Sequence, residues 1–138
     1  MPKDIVKPTR RRSSANTVVV VEPDVLARMV IADYLRDCGY KVVECPNAED
    51  VFIVLSAGRR IDAILCEVEL SGRMNGFGLA HRVKESHPQV DVVLISGPAA
   101  AAHRAADLCD EGPLERPYHP RDVMRRLNRL RERRRRPQ

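Results

Sequence analysis

Residues 61–72 read IDAILCEVELSG. An apolar run, Ile61 with Ala63, Ile64, Leu65 and Cys66, leads to a carboxylate, Glu67, and then to a polar loop containing Ser71 and Gly72. The run has the length and composition of a strand buried on both faces. A doubly wound α/β fold places its chemistry where such a strand ends on a loop. What a glutamate does at that position is the question the rest of the chain has to answer.

Outward from this strand, strand-like and helix-like stretches alternate. Thr17–Val21 is a β-branched run, predicted as a buried strand that stops at Glu22-Pro23. Asp24 is placed to cap a helix whose apolar stripe is Ala27, Val30, Ile31, Tyr34, Leu35 and Cys38, with Gly39 ending it. Tyr40–Cys45 reads as the second strand. Asn47 then caps a helix with Val51, Val54 and Leu55 on one face, ending near Gly58. Ile61–Cys66 is the third strand, followed by a helix over Gly76–His87 that Pro88 cannot continue. Val90–Ile95 is the fourth strand. The alanine-rich stretch from Gly97 to Cys109 predicts a weak or irregular fourth helix, poor in large apolar side chains. Pro113–Glu115 is a short fifth strand, and Pro120 opens a last helix with Val123, Met124, Leu127 and Leu130 inward.

Five strand–helix units give a parallel sheet with helices on both faces. The expected architecture is the flavodoxin-like (βα)5 fold with strand order 2-1-3-4-5, whose ligand crevice lies at the carboxyl ends of the first and third strands. The residues at the strand ends are Glu22, Glu67, Ser96 and Arg116, so two acids, a hydroxyl and a base converge on one rim.

The 138 residues suit one domain, and 43% hydrophobic with 31% charged residues is the composition of a soluble globular chain. No apolar run approaches the ~20 residues that span a bilayer, and the N-terminus lacks the apolar segment of a secretory signal, so the expected location is the cytoplasm. The expected organisation is a disordered basic tail over 1–16, a domain over 17–131 and an arginine-rich tail over 132–138. The tail 1–16 carries +4 and residues 121–138 carry +7, which leaves −6 on the domain between them. Basic ends of this kind suit nucleic acid, an acidic partner or a membrane surface, but no aromatic residues are interleaved with the arginines, which favours solvated termini. Cys38, Cys45, Cys66 and Cys109 show no metal-ligand spacing and are read as free thiols. Gly72, Gly76 and Gly78 do not form a nucleotide-binding glycine motif, and His81, His87, His103 and His119 have no nucleophile fixed beside them.

VVVVEPDVLARMVIADYLRDCGYKVVE at 18–44, ILCEVELSGRMNGFGLA at 64–80, VVLISG at 92–97 and ERPY at 115–118 resemble the receiver (CheY-like) domain of bacterial two-component response regulators, in a degenerate, single-domain form. That resemblance implies a module that takes phosphate from a phosphohistidine onto an aspartate ending the third strand. Two acids after the first strand help to hold Mg²⁺, and a Ser or Thr and a Lys read the phosphoryl group. Carried over, Glu67 stands at the phospho-acceptor position, Glu22 and Pro23 at the acid pair, Ser96 at the hydroxyl and Arg116 at the lysine, followed by the matching Pro117. The aromatic position that swings on activation falls at Pro113.

These departures bear on the chemistry. Pro23 removes one carboxylate from a Mg²⁺ site, leaving weakened coordination by Glu22, Glu67 and a loop carbonyl, so no cofactor is required. Glu67 is one methylene longer than an aspartate, about 1.5 Å, and a misplacement of ~1 Å can cost ~10²-fold in a positioned reaction. The expected function is therefore an atypical receiver that is independent of phosphorylation and is not an enzyme. It acts by binding a protein, either a sensor kinase or a downstream regulator. A standing Glu67–Arg116 ion pair would imitate part of the phosphorylated arrangement, and the competing reading is a stripped site that keeps the fold without a switch. Two alternatives stand beside this function: a receiver still phosphorylated with Mg²⁺, and a nucleic-acid-binding protein using its arginine-rich ends. Arg125, Arg126 and Arg129 on the outer face of the last helix oppose a symmetric pair, so a monomer or weak homodimer is expected, with no membrane partner.

Overall fold

The computed structural model describes residues 16–108 and 120–135. Four parallel strands, β1 (Thr17–Val21), β2 (Lys41–Cys45), β3 (Ala63–Glu67) and β4 (Asp91–Ile95), form one sheet in the order β2-β1-β3-β4. Five helices accompany them: α1 (Val25–Asp37), α2 (Ala48–Ser56), α3 (Gly76–Ser86), α4 (Pro98–Leu108) and α5 (Pro120–Arg135). This is the doubly wound α/β arrangement, with the expected order through four strands. The expected fifth strand at Pro113–Glu115, together with Arg116, Pro117, His119 and the tail 1–15, lies outside the described residues. Helix α5 runs to Arg135, past the expected domain boundary at 131.

Alternation along the strands divides the core into two layers. Val18, Val20, Leu65 and Ile95 face one side and pack with Ala27, Val30, Ile31 and Leu35 of α1, Ala101, Ala102 and Ala105 of α4, and Leu127 of α5. Val19, Val21, Ile64 and Cys66 face the other side, against Val51 and Leu55 of α2 and Leu79 and Val83 of α3. The run VVVV buries both faces, which is why it shows no polar alternation.

The caps hold as expected. Asp24 Oδ1 accepts the N–H groups of Leu26 at 3.0 Å and Ala27 at 3.3 Å, and Asn47 Oδ1 accepts the N–H of Asp50 at 2.8 Å. Gly39 follows α1 at φ +99°, a conformation open to glycine without strain. All of Ala27, Val30, Ile31, Tyr34, Leu35 and Cys38 are buried, as the stripe predicts.

Three further expectations change. Strand β3 begins at Ala63 and includes Glu67, which pairs with Ile95 and is the strand's last residue. The alanine-rich segment is a continuous helix, Pro98–Leu108, and its weakness lies in what it buries: its three fully buried side chains are alanines, which let it approach α1 closely while removing little apolar area from water. Tyr40 Oη adds a polar tie, donating to the Leu108 carbonyl at 2.5 Å. Finally, Cys38 is disulfide-bonded and not a free thiol, whereas Cys45 and Cys66 are free and buried.

Candidate functional site

Strand register builds the site. Val21 of β1 pairs with Cys66 of β3, so the next rung sets Glu22 beside Glu67 at the carboxyl rim. Glu67 in turn pairs with Ile95, which puts the loop beginning at Ser96 next to it. Three of the four expected residues, Glu22, Glu67 and Ser96, therefore share one rim. Arg116, and with it the expected Glu67–Arg116 pair, lies outside the described residues.

Glu67 is 7% exposed, one of two polar or charged residues among the described ones that are classed as buried. A buried carboxylate needs donors, and both its oxygens have them. Oε1 accepts the N–H of Gly97 at 3.0 Å, and Oε2 accepts the N–H of Glu69 at 3.3 Å. Gly97 lies just ahead of α4 and its carbonyl accepts the Ala101 N–H, so Glu67 also sits at a helix N-terminus, where the dipole favours negative charge. The side chain thus joins the loop after β3 to the loop after β4. Ser96 is exposed beside this bridge.

Gly76 closes the loop after β3. Its N–H donates to the Val68 carbonyl at 2.9 Å, and an added Cβ would lie 2.7 Å from the Glu67 carbonyl oxygen and 2.9 Å from Val68 Cα. The absence of a side chain is what lets α3 start against the end of β3.

Glu22 is held by its backbone and turned by its side chain. Its N–H donates to the Cys45 carbonyl at 3.0 Å, and its carbonyl accepts Arg28 Nη1 at 2.8 Å. Its Oε2 accepts the Asp24 N–H at 2.8 Å across Pro23. Burial pushes the Glu22 carboxyl above the usual range; the Asp24 N–H works against that, the charges of Glu67 and Asp24 add to it, and Arg131 offsets part of it. Asp24 moves the other way. Partial burial would raise it, but the Arg131 guanidinium and the Ala27 and Leu26 N–H groups outweigh burial and hold it below the usual range. The neighbouring Cys66 thiol is pushed up to about 12 by burial and by the charges of Glu67 and Glu22, so it is inert as a nucleophile.

Mg²⁺ takes an octahedron of oxygens, usually from one or two carboxylates and several waters. Here Pro23 supplies no side-chain oxygen, both oxygens of Glu67 accept backbone N–H groups, and Glu22 is turned onto the Asp24 N–H. Asp24, the other acid within reach, is spent on the α1 cap and on Arg131. No group of three or more His, Cys, Asp or Glu among the described residues is arranged to hold a metal ion. Glu22 and Glu67 remain side by side as the carboxylates that would hold the ion, so the donor set is poorer by the acid that Pro23 replaces.

One side-chain participant was missed from the sequence: Arg131 of α5, whose Nη2 donates to Asp24 Oδ2. The signal is visible in hindsight. Arg131 falls four residues after Leu127 and seven after Met124, on the inward stripe of α5 where an apolar residue is expected. Exposed apolar side chains also flank the rim: Val25 at the start of α1 and Phe77 at the start of α3.

Comparison with known proteins bears on the whole domain. A family model described as "Response regulator receiver domain" matches residues 18–128. Among curated proteins, the autoinducer 1 sensor kinase/phosphatase LuxN of Vibrio campbellii is 32% identical over 104 residues, 73% of this chain and 12% of LuxN. The phosphate regulon transcriptional regulatory protein PhoB of Pseudomonas aeruginosa is 27% identical over 115 residues, 80% of this chain and 49% of PhoB. The chain therefore spans less than half of either relative's length. Among solved structures, the chemotaxis response regulator CheY4 of Vibrio cholerae aligns with a TM-score of 0.54 at 19% identity, covering 85% of this chain and 99% of that one, a likeness of fold.

Proposed function

The chain belongs to the response regulator receiver family of two-component signalling, and on that premise we propose that it is an atypical receiver whose state is set without phosphorylation and which acts by binding a protein. The observation that carries this reading is the Glu67 carboxylate. It stands at the acceptor position with both oxygens already engaged by the Gly97 and Glu69 N–H groups. A carboxylate bridging the loops after β3 and β4 gives them permanently the kind of anionic partner that a phosphoryl group would give transiently. The same engagement, on a side chain one methylene longer than aspartate, works against the close alignment that attack on a phosphodonor needs. Pro23 stands where the second acid after β1 is expected, which weakens Mg²⁺ coordination by Glu22 and Glu67.

A protein partner is the fitting output. Val25 and Phe77 are exposed apolar side chains on either side of the rim, 50% and 60% accessible, and such a pair beside a polar centre suits a protein surface. The partner class is a sensor kinase or a downstream regulator, as elsewhere in the family.

The test is intact mass after incubation with Mg²⁺ and a small phosphodonor, with Glu67→Asp treated in parallel. No adduct is expected on the native chain. A phosphate adduct mapped to Glu67 would refute the reading. An adduct on Glu67→Asp alone would show that the extra methylene is what blocks the chemistry, whereas none on either would show that Pro23 and its surroundings block it as well.

A further inference from the structure

The acidic rim has an internal cation. Glu22, Asp24 and Glu67 bring three carboxylates to one edge, coupled closely enough that Glu67 and Asp24 each act on Glu22. Receivers of ordinary composition meet such a charge with a divalent ion, and here Pro23 removes one of the acids that would hold it. Among the described residues, Arg28 is turned to Glu44 and to the Glu22 carbonyl. Among the described residues, the side chain that ion-pairs with a rim carboxylate comes from 107 positions away: Arg131 of α5, 30% exposed, on Asp24, 40% exposed.

We propose that Arg131 is a tethered counter-ion, which takes the electrostatic place of a divalent cation at this rim and latches α5 to the turn between β1 and α1. Asp24 is divided between two tasks: Oδ1 caps α1, and Oδ2 holds α5. Helix α5 packs on α1 and α4 through Leu127, with Met124 and Leu130 beside it, so that Arg131 arrives at the rim as part of a docked helix and not as a loose surface cation. The fixed guanidinium also keeps a doubly charged cation away by repulsion. The latch goes beyond the function proposed above, because it stands whether or not Glu67 accepts phosphate, and its readouts involve neither phosphate nor a partner.

The experiment uses the full chain and two measurements. In a double-mutant cycle, Asp24→Asn keeps the cap, since asparagine is an equally good N-cap, and removes the charge that Arg131 meets; Arg131→Gln removes the other side. The expected coupling is about threefold in the unfolding equilibrium constant, the size of a partly exposed ion pair, and it shrinks with added salt. The second measurement is Mn²⁺ affinity. Arg131→Gln is expected to bind Mn²⁺ about fivefold more tightly than the native chain, Arg131→Lys to behave as native, and Arg129→Gln, on the outer face of the same helix, to change by less than about twofold. Independent effects of the two substitutions in the cycle would overturn the latch. Equal Mn²⁺ affinities for Arg131→Gln and Arg129→Gln, including no binding by either, would overturn the counter-ion.

Discussion

Shortening Glu67 to aspartate tests the bridge at the centre of the site. The Glu67 Oε1 to Gly97 N distance is 3.0 Å, and withdrawing the carboxylate by one methylene, about 1.5 Å, takes it beyond hydrogen-bonding range. A hydrogen bond to a charged group contributes about 1.5–3 kcal/mol. Gly97 is only partly buried, so water can replace the lost partner, and the lower end applies. A buried methylene adds about 0.8 kcal/mol. Glu67→Asp should therefore destabilise the domain by about 2 kcal/mol in urea unfolding, and the Gly97 amide should exchange with solvent at least ~10-fold faster. Glutamine is the control. It keeps the length and one acceptor for the Gly97 N–H, turns an NH₂ towards the Glu69 N–H, and removes a charge beside Glu22, so gain and loss nearly cancel and the change should stay under about 1 kcal/mol. If Glu67→Asp changes stability by less than about 0.5 kcal/mol and leaves Gly97 exchange as it was, the bridge does not hold the two loops and the reasoning from it fails.

Other expectations follow from single contacts. Gly76→Ala places a Cβ 2.7 Å from the Glu67 carbonyl oxygen, against backbone that cannot turn aside; thermal unfolding should show a loss of about 2–3 kcal/mol, outweighing the ~1 kcal/mol helix preference for alanine. Glu22 has a raised folded-state pKa, so its contribution to stability is fully present below its ordinary 4.5 and is lost as pH rises through the raised value. Glu22→Gln should accordingly gain on the native chain between pH 4 and pH 7. Asp24 runs the opposite way: its stabilisation is present above 3.8 and fades as pH falls through the lowered value, so Asp24→Asn should cost most near neutrality and least in acid, as read by urea midpoints across pH. The Cys45 and Cys66 thiols, buried and pushed up to about 11 and about 12, should resist a thiol reagent at pH 8 in the native protein. Unfolded without reduction, Cys45 and Cys66 should label and Cys38 should not, as peptide mapping would show.

Local chemistry made much of the fold legible. Asp24 and Asn47 declared their helices because a short oxygen side chain has few better places than an N-cap, and the stripe from Ala27 to Cys38 matched the helical period residue for residue. Glu67 was legible as a strand-end acid for the same reason: an apolar run stopped there. What escaped was long-range. Nothing in PAAAAHRAADL says which face of the sheet it covers, because alanine carries too little apolar area to signal a preference. The Gly97 N–H as partner of Glu67 was hidden because a backbone donor has no letter in the sequence. Arg131 was hidden by its company, one arginine among many on α5, with its partner 107 positions away.

That separation has a consequence for the order in which the domain assembles. The β1–α1–β2 and β3–α3–β4 contacts join segments close in the chain and can form early, whereas the Asp24–Arg131 contact closes a loop of 107 residues. The entropy of closing that loop is met only after the sheet between its ends is in place. Docking of α5 is then a late event in folding, with φ-values near zero at Leu127 and Arg131, and it is the first step to reverse on unfolding. During synthesis, a chain that has already folded its sheet must wait for this helix before Asp24 at its acidic rim meets its cation.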